Sequence, residues 1–203
     1  MVEGKSMSFR YAVVLTGSIS TGKSTVLKLF SSWGIQSIDA DKIAHQILEE
    51  QSVKVAEMFG RSLIVEGKVD RKALGTIVFS DVSKRQELEA LLHPLIYTEI
   101  ERLSLQKDLL GKPYLVDIPL FFEGGRYPIK KSLVVYATAE QQLDRLMHRE
   151  GYSRQEALDR IATQIPVEEK RKMATYVIDN SGTLTQLKQE CERVKGEILS
   201  DSY

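Results

Sequence analysis

The sequence predicts a three-layer α/β fold, with a five-stranded parallel sheet covered by helices, one long helical insertion and a lid. Three observations carry that reading. Apolar runs of strand length alternate with segments of helical period along the 203 residues. The first such run ends in a glycine-containing turn that opens straight into a helical pattern. The stretch 39–113 carries helical patterns and no convincing strand, which marks an insertion.

The elements follow in order. Residues 11–16 form the first strand. Residues 24–33 carry Val26, Leu27, Leu29 and Phe30 at helical spacing, and Gly34 ends that helix. A short strand at 35–38 leads to a helix at 40–49 with Ile43, Ile47 and Leu48 on one face. Helices are expected at 53–59, 71–79 and 83–110, with Pro94 kinking or interrupting the last. Strands at 114–118 and 132–137 precede helices at 139–149 and 153–164, which flank Gly151. A strand at 176–179 and a helix at 184–199 close the chain. There is no internal repeat and no low-complexity segment.

Composition excludes several classes. Twenty-eight basic residues balance 28 acidic ones, so no bulk charge draws the chain to nucleic acid or an anionic membrane. No 18-residue apolar stretch is present, and residues 1–7 lack the apolar centre of a secretory signal, reading instead as an extension or an alternative start at Met7. Cys191 is the only cysteine, which suits a reducing cytoplasm and makes a poor nucleophile or metal ligand.

Chemistry is concentrated after the first strand. Gly17-Ser18-Ile19-Ser20-Thr21-Gly22-Lys23-Ser24 is a complete P-loop, followed by Thr25, between a strand and a helix. The fold class is therefore the P-loop NTPase three-layer fold. Gly17 is expected to turn the chain off the strand, and Gly22 to let backbone approach a phosphate. The loop amides form an anion cradle at the positive end of the next helix. Lys23 reaches toward the β- and γ-phosphates of ATP, and Ser24 toward Mg²⁺.

Further residues narrow the reaction. Asp39-Ala40-Asp41 follows the second strand, where ligands of open sheets bind. Either carboxylate is a candidate base or metal group, and Asp39 is equally a candidate helix cap. Asp117 ends a buried strand, the position of a metal-orienting carboxylate, and Glu123 is expected at the mouth of the same cleft. Arg145, Arg149, Arg154 and Arg160, with Lys170 and Arg171 beyond, read as a mobile lid or as solvated helix faces. Arg149 is singled out because it adjoins Gly151. His93-Pro94 is either a substrate contact or a kinked helix with an ordinary histidine.

Together these residues resemble the dephospho-CoA kinase family. The resemblance rests on the Gly-Lys-Ser-Thr loop, Asp39-Ala40-Asp41 with Ile43-Ala44, His93-Pro94-Leu95-Ile96, Asp117-Ile118-Pro119-Leu120 with Glu123, and Ile178-Asp179-Asn180, in that family's order from about residue 10 to about 199. It implies ATP-dependent phosphorylation of the ribose 3′-hydroxyl of dephospho-CoA, the last step of CoA synthesis. It implies a nucleotide core at 10–50, 112–138 and 174–200, a helical CoA-substrate domain at 51–111 and a lid at 139–173. Asp41 would be the base. Lys23 and Arg149 would neutralise the transferring group, with Arg145 and Asn180 also on the nucleotide. Ser24 with Asp117 or Asp39 would manage Mg²⁺, and Asp41, His93 and Glu123 would meet dephospho-CoA. A cytoplasmic enzyme is expected, with the monomer favoured and with neither nucleic-acid nor membrane partners. Three departures stand out: Ser18, Ser20 and Thr21 replace the usual glycines, His45 stands where arginine is common, and Ala174-Thr175 replaces an Ala-Asp pair.

Two other readings compete. A nucleoside or nucleoside monophosphate kinase would share the core but need another acceptor pocket at 52–110. A nucleotide switch of the GTPase kind would need an Asn-Lys-x-Asp motif, which the sequence lacks.

Overall fold

The structure, a computed structural model, describes residues 8–201; the extension or start-site reading at 1–7 lies outside the described residues. The chain runs β1 (Ala12–Gly17), α1 (Lys23–Ser32), β2 (Ser37–Asp39), α2 (Ala40–Glu50), α3 (Ser52–Phe59), β3 (Ile64–Val65), β4 (Lys68–Val69), α4 (Arg71–Ser80) and α5 (Val82–Asp108). It continues with β5 (Tyr114–Asp117), α6 (Phe121–Gly124), β6 (Lys131–Tyr136), α7 (Ala139–Glu150), α8 (Arg154–Ala162), α9 (Val167–Met173), β7 (Tyr176–Asp179) and α10 (Leu184–Ser200). Two compact units result. The core unit holds the described residues through Ile38 and from Ser104 onward, and the helical unit is Asp39–Leu103.

The core unit is built on a five-stranded sheet of order β2-β5-β1-β6-β7. Its ladders are parallel, with Leu15 opposite Asp117, Gly17 opposite Val135 and Tyr136 opposite Asp179. That register brings the start of the P-loop and the ends of β5, β6 and β7 to one edge, where ligands of open α/β sheets bind. Period-two alternation divides the strand residues between two faces. Val13, Leu15, Leu115, Leu133, Val135, Tyr176 and Ile178 pack with Val26 and Phe30 of α1 and with Leu187, Cys191, Val194 and Ile198 of α10. On the other face Val134 and Tyr136 pack with Val167 of α9 and with Phe122 and Val177. The three-layer expectation therefore holds.

In the helical unit Leu48, Val55, Leu63, Val69 and Leu74 form a small apolar core flanked by Phe59, Ile77, Leu88 and Leu91. One expectation is corrected there and another is narrowed. The stretch read as strandless contains an antiparallel hairpin, β3–β4, turned through Glu66 (φ 51°) and Gly67 (φ 79°). Two-residue strands carry too little alternation to detect, and Glu-Gly is a weak signal for a turn with two positive φ angles. Pro94 does not interrupt its helix: α5 runs unbroken from Val82 to Asp108. The short helices α6 and α9 also lay outside the periodicity reading.

Candidate active site

The residues of the P-loop are held from outside at nearly every step. Thr21 Oγ1 donates to Ser18 O at 3.0 Å, closing the turn on itself. Asn180 Nδ2 donates to Thr21 O at 2.8 Å. Because the peptide group is planar and trans, fixing that carbonyl aims the Gly22 N–H to the opposite side. Arg145 Nη2 donates to Asn180 O at 2.9 Å, and its Nη1 lies 3.5 Å from the carbonyls of both Ser20 and Thr21. Ile19 packs against Leu143, Leu146 and Ala157, where α7 and α8 meet.

Both glycines have local reasons, and that of Gly17 differs from the sequence expectation. Gly17 is not in the left-handed region. A Cβ there would lie 2.7 Å from Thr21 Oγ1 and 3.0 Å from Val135 O, so close approach and not a sharp turn demands glycine. Gly22 has φ 95°, and a Cβ would overlap the Asn180 amide. Ser20 takes φ 61°, a conformation that costs a residue bearing a Cβ about 1–2 kcal/mol. Its buried Oγ has no hydrogen-bond partner among the described residues, so the loop carries an uncommitted hydroxyl.

Lys23 opens α1. The α1 N-cap is Gly22, no described side chain caps this helix, and its first turn has no acidic residue. By contrast, Asp39 caps α2, Asp70 caps α4, and α7, α8 and α10 each begin with a full capping box. The N-terminal amides of α1 thus keep their positive end for an anion. Lys23 Nζ donates to Asp117 Oδ1 at 2.5 Å, joining the loop to the end of β5. Asp117 is buried, and this charge-assisted bond offsets part of the desolvation of both groups. Ser24 and Thr25 are exposed on the first turn of α1.

The other candidates divide. Arg149 is 60 % exposed on the last turn of α7, where Nε donates to Glu150 Oε1 at 2.6 Å; one turn earlier, Arg145 is the arginine on the loop. Arg160 lies over the Tyr152 ring and Arg171 over the Tyr136 ring. Glu123 Oε1 accepts from Ile165 N at 3.1 Å and pairs with Lys170 Nζ at 2.7 Å. In the helical unit Asp39 Oδ1 accepts from Lys42 N at 2.9 Å as the α2 cap, and Asp41 is exposed in the first turn of α2. His93 is half-buried within α5 and His45 is exposed on α2.

Sequence reasoning passed over Gln164 and read Lys170 only as part of a lid or a solvated helix face. Lys170 is 0 % exposed, and Nζ donates to Gly17 O at 3.1 Å, so the solvated-face reading fails for this residue. Gln164 Oε1 accepts from Ile19 N at 2.9 Å. The available signal for Lys170 was weak: apolar spacing with Val167 on the inner face of a seven-residue helix.

Near the site, burial and polar contacts shift a few groups. The Tyr136 hydroxyl donates to Glu168 at 2.6 Å, and this bond to a carboxylate, with burial, raises its pKa. Arg193 bonds to Glu190 and lowers that carboxyl's pKa, assisted by the Asp179 N–H at the end of β7.

The dephospho-CoA kinase profile matches residues 11–186. A dephospho-CoA kinase from Sulfurimonas denitrificans is 52 % identical over 192 residues, covering 95 % of this chain and 96 % of that protein. One from Helicobacter pylori (strain ATCC 700392 / 26695) is 43 % identical over 196 residues, covering 95 % and 100 %. The solved dephospho-CoA kinase from Campylobacter jejuni superposes with a TM-score of 0.78 at 38 % identity, over 95 % of this chain and 99 % of that one. Likeness of this order in both sequence and fold, over nearly the full length of each relative, makes the chain a member of the dephospho-CoA kinase family and so a P-loop kinase.

Proposed function

We propose that the chain transfers the γ-phosphoryl group of ATP to the 3′-hydroxyl of dephospho-CoA, giving CoA and ADP. The observation that carries this reading is the joined Lys23–Asp117 pair at the P-loop, in a chain 52 % identical to a dephospho-CoA kinase. The core unit supplies the donor side. Lys23 leaves Asp117 for the phosphates when nucleotide binds, and the bare α1 N-terminus and the Ser20 hydroxyl receive phosphate oxygens. Arg145 and Asn180 border the nucleotide, and Arg149 swings in from the end of α7 as the lid at 139–173 closes.

The acceptor side is read from Asp41 of the helical unit as general base, with His93 of that unit and Glu123 of the core unit as further contacts to dephospho-CoA. The exposed Asp41 carboxylate in the first turn of α2 is free to take the proton of the attacking hydroxyl. Asp39 is committed to its cap, which favours Asp41 for this role.

A hard divalent cation fits the donors available. Ser24 and Asp117 offer a hydroxyl and a carboxylate, and the described residues contain no cluster of three or more His, Cys, Asp or Glu that could cage a metal. Such a set suits Mg²⁺, which is held largely by substrate phosphates and water. Bound there, Mg²⁺ would supply neutralisation of phosphate charge.

Among the described residues no helix is long and apolar enough to cross a membrane. We take the enzyme to be cytoplasmic and monomeric, without nucleic-acid or membrane partners. The test is ATP consumption with dephospho-CoA as acceptor, followed by mass analysis of the product. Formation of CoA supports the assignment. ADP released only with nucleoside monophosphates overturns it.

A further inference from the structure

We infer that Lys170 is a positioning residue that fastens the phosphate loop to the segment returning from the lid, and that ATP affinity depends on this joint. The inference rests on the reading of the loop as the ATP site.

Three parts of the core unit that are distant in sequence converge here. From α9, Lys170 Nζ donates to Gly17 O, the first carbonyl of the loop, at 3.1 Å. From α6, Glu123 Oε1 lies 2.7 Å from the same Nζ and also accepts from Ile165 N. From the linker between α8 and α9, Gln164 Oε1 accepts from Ile19 N at 2.9 Å, and Ile165 O accepts from Ser18 Oγ at 3.3 Å. Gly17, Ser18 and Ile19 are thus each bonded to this assembly. The farther half of the loop is held by Asn180 and Arg145 instead.

A lysine with no exposed surface is an expensive way to support a turn. An apolar side chain of the same length would pack there without desolvating a charge. It would also leave the buried Gly17 carbonyl and the Glu123 carboxylate short of a donor. What the ammonium adds is direction: it bonds the loop carbonyl and the α6 carboxylate together, and that carboxylate in turn holds the linker. A shift of the lid's return segment therefore pulls on Gly17, Ser18 and Ile19 together. Opening this joint loosens the phosphate cradle while leaving Lys23, Ser24 and Asp117 chemically intact.

The test uses the full chain, with ATP titrated calorimetrically and both Michaelis constants measured. Lys170→Met is expected to weaken ATP binding roughly tenfold, the scale of one charge-assisted hydrogen bond, and to leave KM for dephospho-CoA within about twofold. Gln164→Ala, at the half-buried linker, is expected to weaken ATP about threefold. The double variant should lose less than the product of the two, since both open one joint. A merely structural lysine would lower thermal stability and the fraction of active enzyme without this split between substrates. If folded Lys170→Met binds ATP within about twofold of wild type, the inference is overturned. Should Lys170→Met not fold, Gln164→Ala decides by the same criterion: weaker ATP binding supports the joint, and wild-type binding overturns it. Failure of the wild-type chain itself to bind ATP would strike instead at the nucleotide reading beneath.

Discussion

In the core unit buried polar groups gather at the phosphate loop: Thr16, Ser18, Thr21, Asp117, Lys170 and Asn180 are all buried there. In the helical unit every buried residue is apolar, from Ala40, Ile43 and Ile47 through Val55 and Leu74 to Ile100. The helical unit also leaves Val53, Val82 and the 85 %-exposed Phe79 at its surface. Buried hydrogen bonds are directional, so they hold a loop in one arrangement. Apolar packing sets volume and pattern and tolerates adjustment. The phosphate loop is thus held by directional bonds, whereas the core of the helical unit rests on apolar packing.

The sharpest way to break this contrast is Asp41→Asn, a change in the first turn of a helical-unit helix. Turnover should fall by about 10²–10⁴-fold while the calorimetric affinity for ATP holds. Near-normal kcat would move the base to Asp39 or elsewhere. Lys23→Ala makes the complementary change on the donor side. It should lower kcat/KM on the order of 10²–10³-fold, and stability without nucleotide by only about 1–3 kcal/mol, because the buried Asp117 loses its close cation. A stability loss large enough to unfold the chain would recast Lys23 as a structural residue.

Two smaller effects sharpen the comparison. Leu133→Ala, in the middle of the sheet, should cost about 3–5 kcal/mol in denaturant unfolding, and Leu74→Ala about 2–3 kcal/mol, since the smaller core relaxes around its cavity. Equal losses would remove the claimed difference in adaptability. Cys191, packed under the sheet, has its thiol pushed up by burial to about 12 from an ordinary value near 9. The unfolded thiol ionises first, so stability linked to this proton is present below about pH 9 and declines as pH rises toward about 12. Cys191→Val should flatten that alkaline decline in a pH series of unfolding curves, and the native thiol should resist alkylation at pH 8. Rapid labelling of the native chain would show the core to be looser than the sheet packing implies.

Much of the donor site was legible because its signals are local. The P-loop lies within eight consecutive residues, and the end of each buried strand shows where its apolar run meets Asp117 or Asp179. The capping role of Asp39 was one of two readings that local spacing allowed, and the bond to Lys42 N bears it out. The β3–β4 hairpin escaped notice because two residues per strand leave no period to count. Of the two outcomes that local rules allow for Pro94, a kink or an interruption, the unbroken α5 excludes the second. Gly17 looked like a turn residue until Thr21 Oγ1 and Val135 O were seen beside it.

By itself the sequence determined the layer order, the phosphate cradle, the Asp117 strand end and the kinship with dephospho-CoA kinases, because periodicity and short motifs act over one or two turns of chain. Tertiary structure alone decided which charges go inside. Arg149 on α7 and Lys170 on α9 both carry a positive charge, yet one is 60 % exposed beside Glu150 and the other fully buried between Gly17 and Glu123. Their difference arises from partners far away along the chain, and only folding brings a carbonyl at 17 and a carboxylate at 123 within reach of an ammonium at 170.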